Sequence, residues 1–282
     1  MLNAVLGAVG EQLVTRAVPR ELLTLVRSAA RVPRALAQRG ARLTALAGTQ
    51  PPPAGAVLTP VVLVHGYLGT ESIWTPLADS LRRAGYVNIF TLGYDSLSAG
   101  VPELAALLVD AVRTVLARTG RPDVHLVGHS LGGLVTRYAV QRLGLDAVTR
   151  SVVTVGTPHG GTALARLGPG PAAAQLRPGS VFLTRLPPLS DTRHVRWAVV
   201  HAGADLVAPP PYHGGHPVLR GYGHHSVLRA PGLAALVADH LASSEPAPRR
   251  EPLPAGPPPL YQTRADVALS DQRPATVSVR AN

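Results

Sequence analysis

Gly128-His129-Ser130-Leu131-Gly132 is entered by the apolar run Val124 to Val127 and followed by a helical run from Leu131 to Leu143. A serine with glycines two residues to either side, between a strand and a helix, reads as a nucleophile elbow. The turn is tight enough to hold the serine in a strained backbone conformation, and side chains at the flanking positions would collide with neighbouring elements. The strain lifts the hydroxyl above the sheet edge, open to substrate. Five residues of this kind are a weak signal alone, because glycine and serine are common in turns. The strand before them and the helix behind supply the context.

Working outward, strands and helices alternate. Val61 to Val64 reads as a short buried strand, Ile73 to Ala84 as a helix and Val87 to Leu92 as a strand, and Pro102 opens a helix to about Arg118. Val148 to Val155 and Arg196 to His201 read as further strands, and Gly232 to His240 as a closing helix. This predicts an α/β fold over residues 60–242, a mainly parallel sheet with helices on both faces. Residues 163–193 are rich in proline and glycine, too irregular for a core element, and form the candidate lid. Residues 1–50 carry Leu2, Val5, Leu6, Val9, Leu13, Leu22, Leu23 and Val26 at helical spacing, with Arg27, Arg31, Arg34, Arg39 and Arg42 on much of the other face. Such basic amphipathic helices can pack on the body or on a second copy, or can lie through residues 1–47 on an anionic membrane surface. Residues 51–59, with Pro51-Pro52-Pro53-Ala54-Gly55, form a linker, and residues 243–282 read as a disordered tail of proline, alanine and arginine.

Composition narrows the function classes. Every one of the 27 basic residues is arginine, and the formal charge is +11. Seven arginines against two glutamates fall in residues 1–50, and the rest are spread out. The aromatic interleaving that single-stranded nucleic acid would favour is absent, so nucleic acid is not expected as a partner. Without cysteine there is no disulfide, thiolate nucleophile or cysteine metal site. No apolar run approaches the roughly 18 residues of a membrane span. The first basic residue, Arg16, comes after Glu11, unlike the positive start of a secretory signal, so the expectation is a cytoplasmic, unexported protein.

A serine alcohol becomes nucleophilic when a base takes its proton, and the base needs a third group to hold it. Where the nucleophile sits on such an elbow, the acid and then the histidine follow it in the chain. Asp205 lies just beyond the strand Arg196 to His201, at the carboxyl edge of the sheet beside the elbow. Asp191 and Asp146 precede strands and belong to the wrong edge. For the base, His224 and His225 compete in the loop Gly221-Tyr222-Gly223-His224-His225-Ser226, and spacing does not separate them. An oxyanion needs donors too. The N–H of Leu131, at a helix start, is one, and Tyr67 N–H in His65-Gly66-Tyr67-Leu68-Gly69 is the other.

Those segments, with Gly128 to Gly133 and Gly156-Thr157-Pro158-His159-Gly160-Gly161-Thr162, resemble the α/β-hydrolase superfamily, and within it bacterial triacylglycerol lipases and esterases of the actinobacterial type, with some likeness to inositol deacylases. The resemblance covers about Pro60 to Leu241 and implies the α/β-hydrolase fold. It also implies hydrolysis of carboxylic esters of lipid-like or medium-chain acyl groups through an acyl-serine intermediate, without a cofactor. Gly221-Tyr222-Gly223-His224-His225-Ser226-Val227-Leu228 matches the family's histidine motif and favours His224 as base; Asp205 fits its acid loop. His65, Gly66, Leu68, His129, Thr157 and His159 are the residues expected to border the substrate. Some relatives hold a structural calcium, but no acidic cluster here would supply its oxygen ligands, so no metal is expected. The short, weakly apolar lid and the missing secretory signal depart from a secreted lipase. Acyl transfer with the same three residues, or a non-catalytic binding protein on this scaffold, are the rival readings. Oligomeric state is not legible.

Overall fold

The computed structural model describes residues 41–46, 56–192, 194–210 and 215–244. Seven strands form one sheet in the order β1-β3-β2-β4-β5-β6-β7. They are β1 (Arg42–Ala45), β2 (Val61–Val64), β3 (Ile89–Gly93), β4 (Val124–His129), β5 (Thr149–Val155), β6 (Arg196–Ala202) and β7 (Val218–Leu219). All neighbours run parallel except β1, which pairs antiparallel with β3. The expected α/β architecture is therefore present, with β2 to β6 each within a few residues of its sequence reading.

The central strands are apolar at nearly every position because both faces are covered. Val62, Val64, Leu126 and Val152 point to one side, where they meet α2 (Val101–Thr119) and α3 (Leu131–Arg142). Val61, Leu63, Val127 and Val153 point to the other, against α1 (Thr75–Arg83) and α6 (Pro231–Ala242). Within α2, Val101, Leu104, Ala105, Leu108, Val112 and Val115 make one buried stripe. A proline stands in its first turn, and Gly120 at φ 62 ends it in the left-handed conformation.

Two expectations change. The helical spacing predicts helix across residues 1–50, yet 42–45 form a strand. Leu43 and Leu46 suit a helix face and a strand equally in so short a stretch, and the open edge of β3 decides: Arg42 pairs with Gly93 and Ala45 with Phe90, and Leu46 N–H donates to Ile89 O at 2.8 Å. The remainder of that segment, residues 1–40 and 47–50, lies outside the described residues, as do 51–55 of the linker and 245–282 of the tail. The second change is in 163–193. It carries short helices, α4 (Gly170–Gln175) and α5 (Val181–Thr184), with single helical turns at Ala163–Arg166 and Leu189–Asp191. Ala172, Leu176 and Leu186 join the core above α2 and α3. Among the described residues no helix is long and apolar enough to cross a membrane.

The core predicts a sharp contrast between two leucines. Leu126→Ala, at a side chain with no exposure, should cost about 2–5 kcal/mol. Leu167→Ala, at one 83% exposed, should stay within about 0.5 kcal/mol. Urea unfolding of the two variants measures both.

Candidate active site

β4 delivers the chain to Ser130, which stands at φ 54 and ψ −123 before α3 begins at Leu131. Its N–H donates to Val155 O at 3.0 Å, and Gly133 N–H donates to Ser130 O at 3.0 Å. The flanking glycines are sterically obligatory. A Cβ on Gly132 would lie 2.1 Å from Val64 O, and one on Gly128 would lie 2.6 Å from Gly132 O.

The other two residues come from loops at the same sheet edge. Asp205 follows β6. Its buried carboxylate accepts the N–H groups of Val207 and Ala208 at Oδ1, both at 2.8 Å. His224 Nδ1 lies 2.9 Å from Asp205 Oδ2, and His224 Nε2 lies 2.9 Å from Ser130 Oγ. A carboxylate only accepts, so Nδ1 carries the proton and Nε2 is free to accept from the serine hydroxyl. That arrangement is able to deprotonate a serine and hold the resulting imidazolium against a carboxylate shielded from water. His225, the competing histidine, stands edge-on to His224 with ring centroids 5.0 Å apart, and the hydrogen bonds to Ser130 and Asp205 are made by His224. The loop is less free than its glycines suggested. Ser226 Oγ accepts Gly223 N–H at 2.9 Å, and a helical turn follows at Ser226–Arg229.

Gly66 allows the loop after β2 to lean on the elbow, since a Cβ there would lie 2.9 Å from Ser130 Cβ. Leu68 adopts φ 54, and its N–H donates to Ser96 Oγ at 2.9 Å. Among the described residues no acceptor takes the N–H of Tyr67 or of Leu131. The Tyr67 hydroxyl donates to Pro169 O and so ties this loop to segment 163–193. Thr157 packs beneath the elbow helix, where a Cβ on Gly133 would lie 2.0 Å from its Oγ1.

Two residues expected at the substrate's edge do something else. His65 is buried; its Nδ1–H donates to Gly66 O at 2.8 Å, Nε2 accepts Tyr94 N–H at 3.3 Å, and its ring stacks on Tyr94 at 4.1 Å. Burial lowers its pKa, so it is a neutral brace for the loop. His129 is equally buried. Its Nε2–H donates to the backbone carbonyl of His224 at 2.9 Å, and burial, then the His224 and His225 rings, hold its pKa well below the usual range. Tyr94 and Ser96 were missed from sequence. Their place directly after β3, at the carboxyl end of a parallel strand, is the signal that would have found them. His159 sits apart, with Nδ1 accepting from Arg137 at 3.3 Å and Nε2 donating to Thr154 Oγ1 at 3.1 Å.

Comparison with known proteins follows the same lines. Residues 61–279 match the model of the Alpha/beta hydrolase family. Over 113 residues the chain is 35% identical to a triacylglycerol lipase of Pseudarthrobacter phenanthrenivorans, covering 38% of this chain and 35% of that protein. It is likewise 35% identical over 113 residues to a triacylglycerol lipase of Burkholderia plantarii, covering 38% of this chain and 31% of that protein. The matched stretch thus spans about a third of the length of these relatives. Among solved structures, a Bacillus licheniformis lipase in its mature form is similar with a TM-score of 0.58 at 20% identity, over 71% of this chain and 97% of that one. Lipase B of Aspergillus fumigatus is similar with a TM-score of 0.57 at 20% identity, over 70% and 57%. At these identities the structural likeness concerns the fold.

The elbow makes its own prediction about glycine. Gly132→Ala should destabilise the protein by more than about 3 kcal/mol, because the clash is with backbone that cannot give way. Gly160→Ala meets nothing within 4 Å and should stay within about 0.5 kcal/mol. Thermal melts of the two variants separate these outcomes.

Proposed function

The chain belongs to the alpha/beta hydrolase family, and from that premise we propose that it is a serine ester hydrolase acting on carboxylic esters of lipid-like or medium-chain acyl groups. The observation that carries this reading is the continuous set of hydrogen bonds from Ser130 Oγ through the His224 imidazole to the buried Asp205 carboxylate. Ser130 attacks the ester carbonyl as His224 Nε2 takes its proton. The N–H groups of Leu131 and Tyr67 hold the developing oxyanion. His224 then gives the proton to the departing alcohol, and water releases the acyl group by the reverse sequence. Asp205 keeps His224 in the required tautomer throughout.

The substrate class draws support from two sources. The relatives are named triacylglycerol lipases. In addition, Leu164, Leu167 and Val181 stand exposed on segment 163–184, which Tyr67 ties to the oxyanion loop. Such a surface suits an acyl chain better than a polar one.

Ser130→Ala should reduce p-nitrophenyl butyrate hydrolysis by about 10⁴-fold or more with an unchanged melting curve. A loss under tenfold would sink the reading, and product analysis with a competing alcohol separates hydrolysis from acyl transfer. His224→Ala should match Ser130→Ala, whereas His225→Ala should retain most activity. His129→Leu removes a buried donor to the His224 carbonyl, worth about 1–3 kcal/mol. It should slow labelling of Ser130 by a fluorophosphonate about tenfold to a hundredfold, with partial recovery in His129→Gln.

A further inference from the structure

Behind the acid loop lies a cleft of about 480 Å³ that the proposed chemistry does not use. Arg137 from α3, His159 from the loop after β5, His201 near the end of β6 and His216 before β7 line it, and among the described residues no carboxylate does. Ala208 and Pro209 close the side towards Asp205, with Leu189 and Val199 supplying further apolar wall.

The charge balance of this cleft is unusual. Arg137 is buried, and its three hydrogen bonds all go to neutral acceptors: Gln141 Oε1 at 3.0 Å, His159 Nδ1 at 3.3 Å and Pro187 O at 2.6 Å. A guanidinium has five N–H groups, so two are not accounted for by these contacts. Among the described residues it has no ion pair, and a buried cation without one is costly. His201 is buried with Nδ1 lacking a hydrogen-bond partner, and its ring lies 6.0 Å from that of the exposed His216. The carboxylate that acts on His201 is Asp205, already committed to His224 and two backbone N–H groups. Desolvation and then the positive Arg137 keep His159 neutral, with a pKa of about 3. A cation or metal would be repelled by Arg137. A compact dianion would leave the apolar walls uncovered.

We propose that this cleft is a binding site for a monocarboxylate with a short apolar chain, its anion at Arg137, His201 and His216 and its chain against Leu189, Val199 and Pro209. A planar guanidinium is well matched to a carboxylate. The site is separate from Ser130, and its occupancy is read without turnover.

The test is a histidine ¹H–¹³C NMR titration of the full chain with sodium hexanoate and, separately, with inorganic phosphate, at ionic strength fixed with chloride. Hexanoate should shift the His159, His201 and His216 signals saturably, and phosphate should not. Any shift at His224 reports the Ser130 site separately. Arg137→Gln should weaken hexanoate binding about tenfold to a hundredfold, as loss of a charged hydrogen bond would. His216→Gln, at an exposed residue, should weaken it severalfold, and it keeps the test decisive if Arg137→Gln does not fold. The proposal is overturned if the three histidines do not respond to hexanoate, if phosphate binds more tightly, or if folded variants keep full affinity.

Discussion

Ser130 holds φ 54 and ψ −123 between a strand and a helix, a conformation that costs a residue with a side chain about 1–3 kcal/mol. The surrounding chain leaves it no alternative. Its N–H is bound to Val155 O, its carbonyl accepts from Gly133, and the two flanking glycines let β4, α3 and the end of β2 approach within distances that any Cβ would prevent. Gly66 brings the loop after β2 within the same close contact. The site is therefore built by backbone approach first and by side chains second. Two faces of apolar packing over β2, β4 and β5 hold that approach in place.

The α/β architecture was legible because its elements obey local rules. A continuous valine and leucine run such as Val61 to Val64 is a strand buried on both faces, and the stripe in α2 repeats at helical spacing. What failed was decided at long range. Residues Arg42 to Ala45 became a strand because β3 had an open edge, which no window around Leu43 reveals. The two residues of β7 follow Pro217, whose carbonyl takes the N–H of His201 at 2.9 Å, and carry no periodicity of their own. In 163–192 the glycines concealed short helices, some of whose residues join the core. Gly170, at φ +88, passes so close to Leu97 that a Cβ would lie 2.4 Å from its carbonyl oxygen.

At the site the order of residues along the chain pointed to Ser130 and Asp205, each just after a strand legible in the sequence, and the family motif chose His224 over its neighbour His225. The roles of the surrounding histidines were not legible. A histidine next to a nucleophile looks the same in sequence whether it meets substrate or a backbone carbonyl. For His65 and His129 the distinction rests on burial and on partners 29 and 95 residues away, Tyr94 and His224.

The His129 contact has a consequence for how the proposed base is held. His224 is gripped twice by adjacent residues of one strained turn: Ser130 Oγ at its ring and His129 Nε2–H at its own carbonyl, both at 2.9 Å. Displacement of the 224 backbone therefore strains the contact at its carbonyl as well as the one at its ring. A protonated His129 would still donate to that carbonyl, but it would place a positive charge beside His224. Its ring centroid lies 4.8 Å from that of His224, so a charge there would oppose the imidazolium that the proposed mechanism requires at His224. Burial against Trp74 and Gly66 favours the neutral form. His129 is thus an uncharged donor to the His224 backbone, while Asp205 accepts at the His224 ring, so the two neighbours hold that residue at separate points.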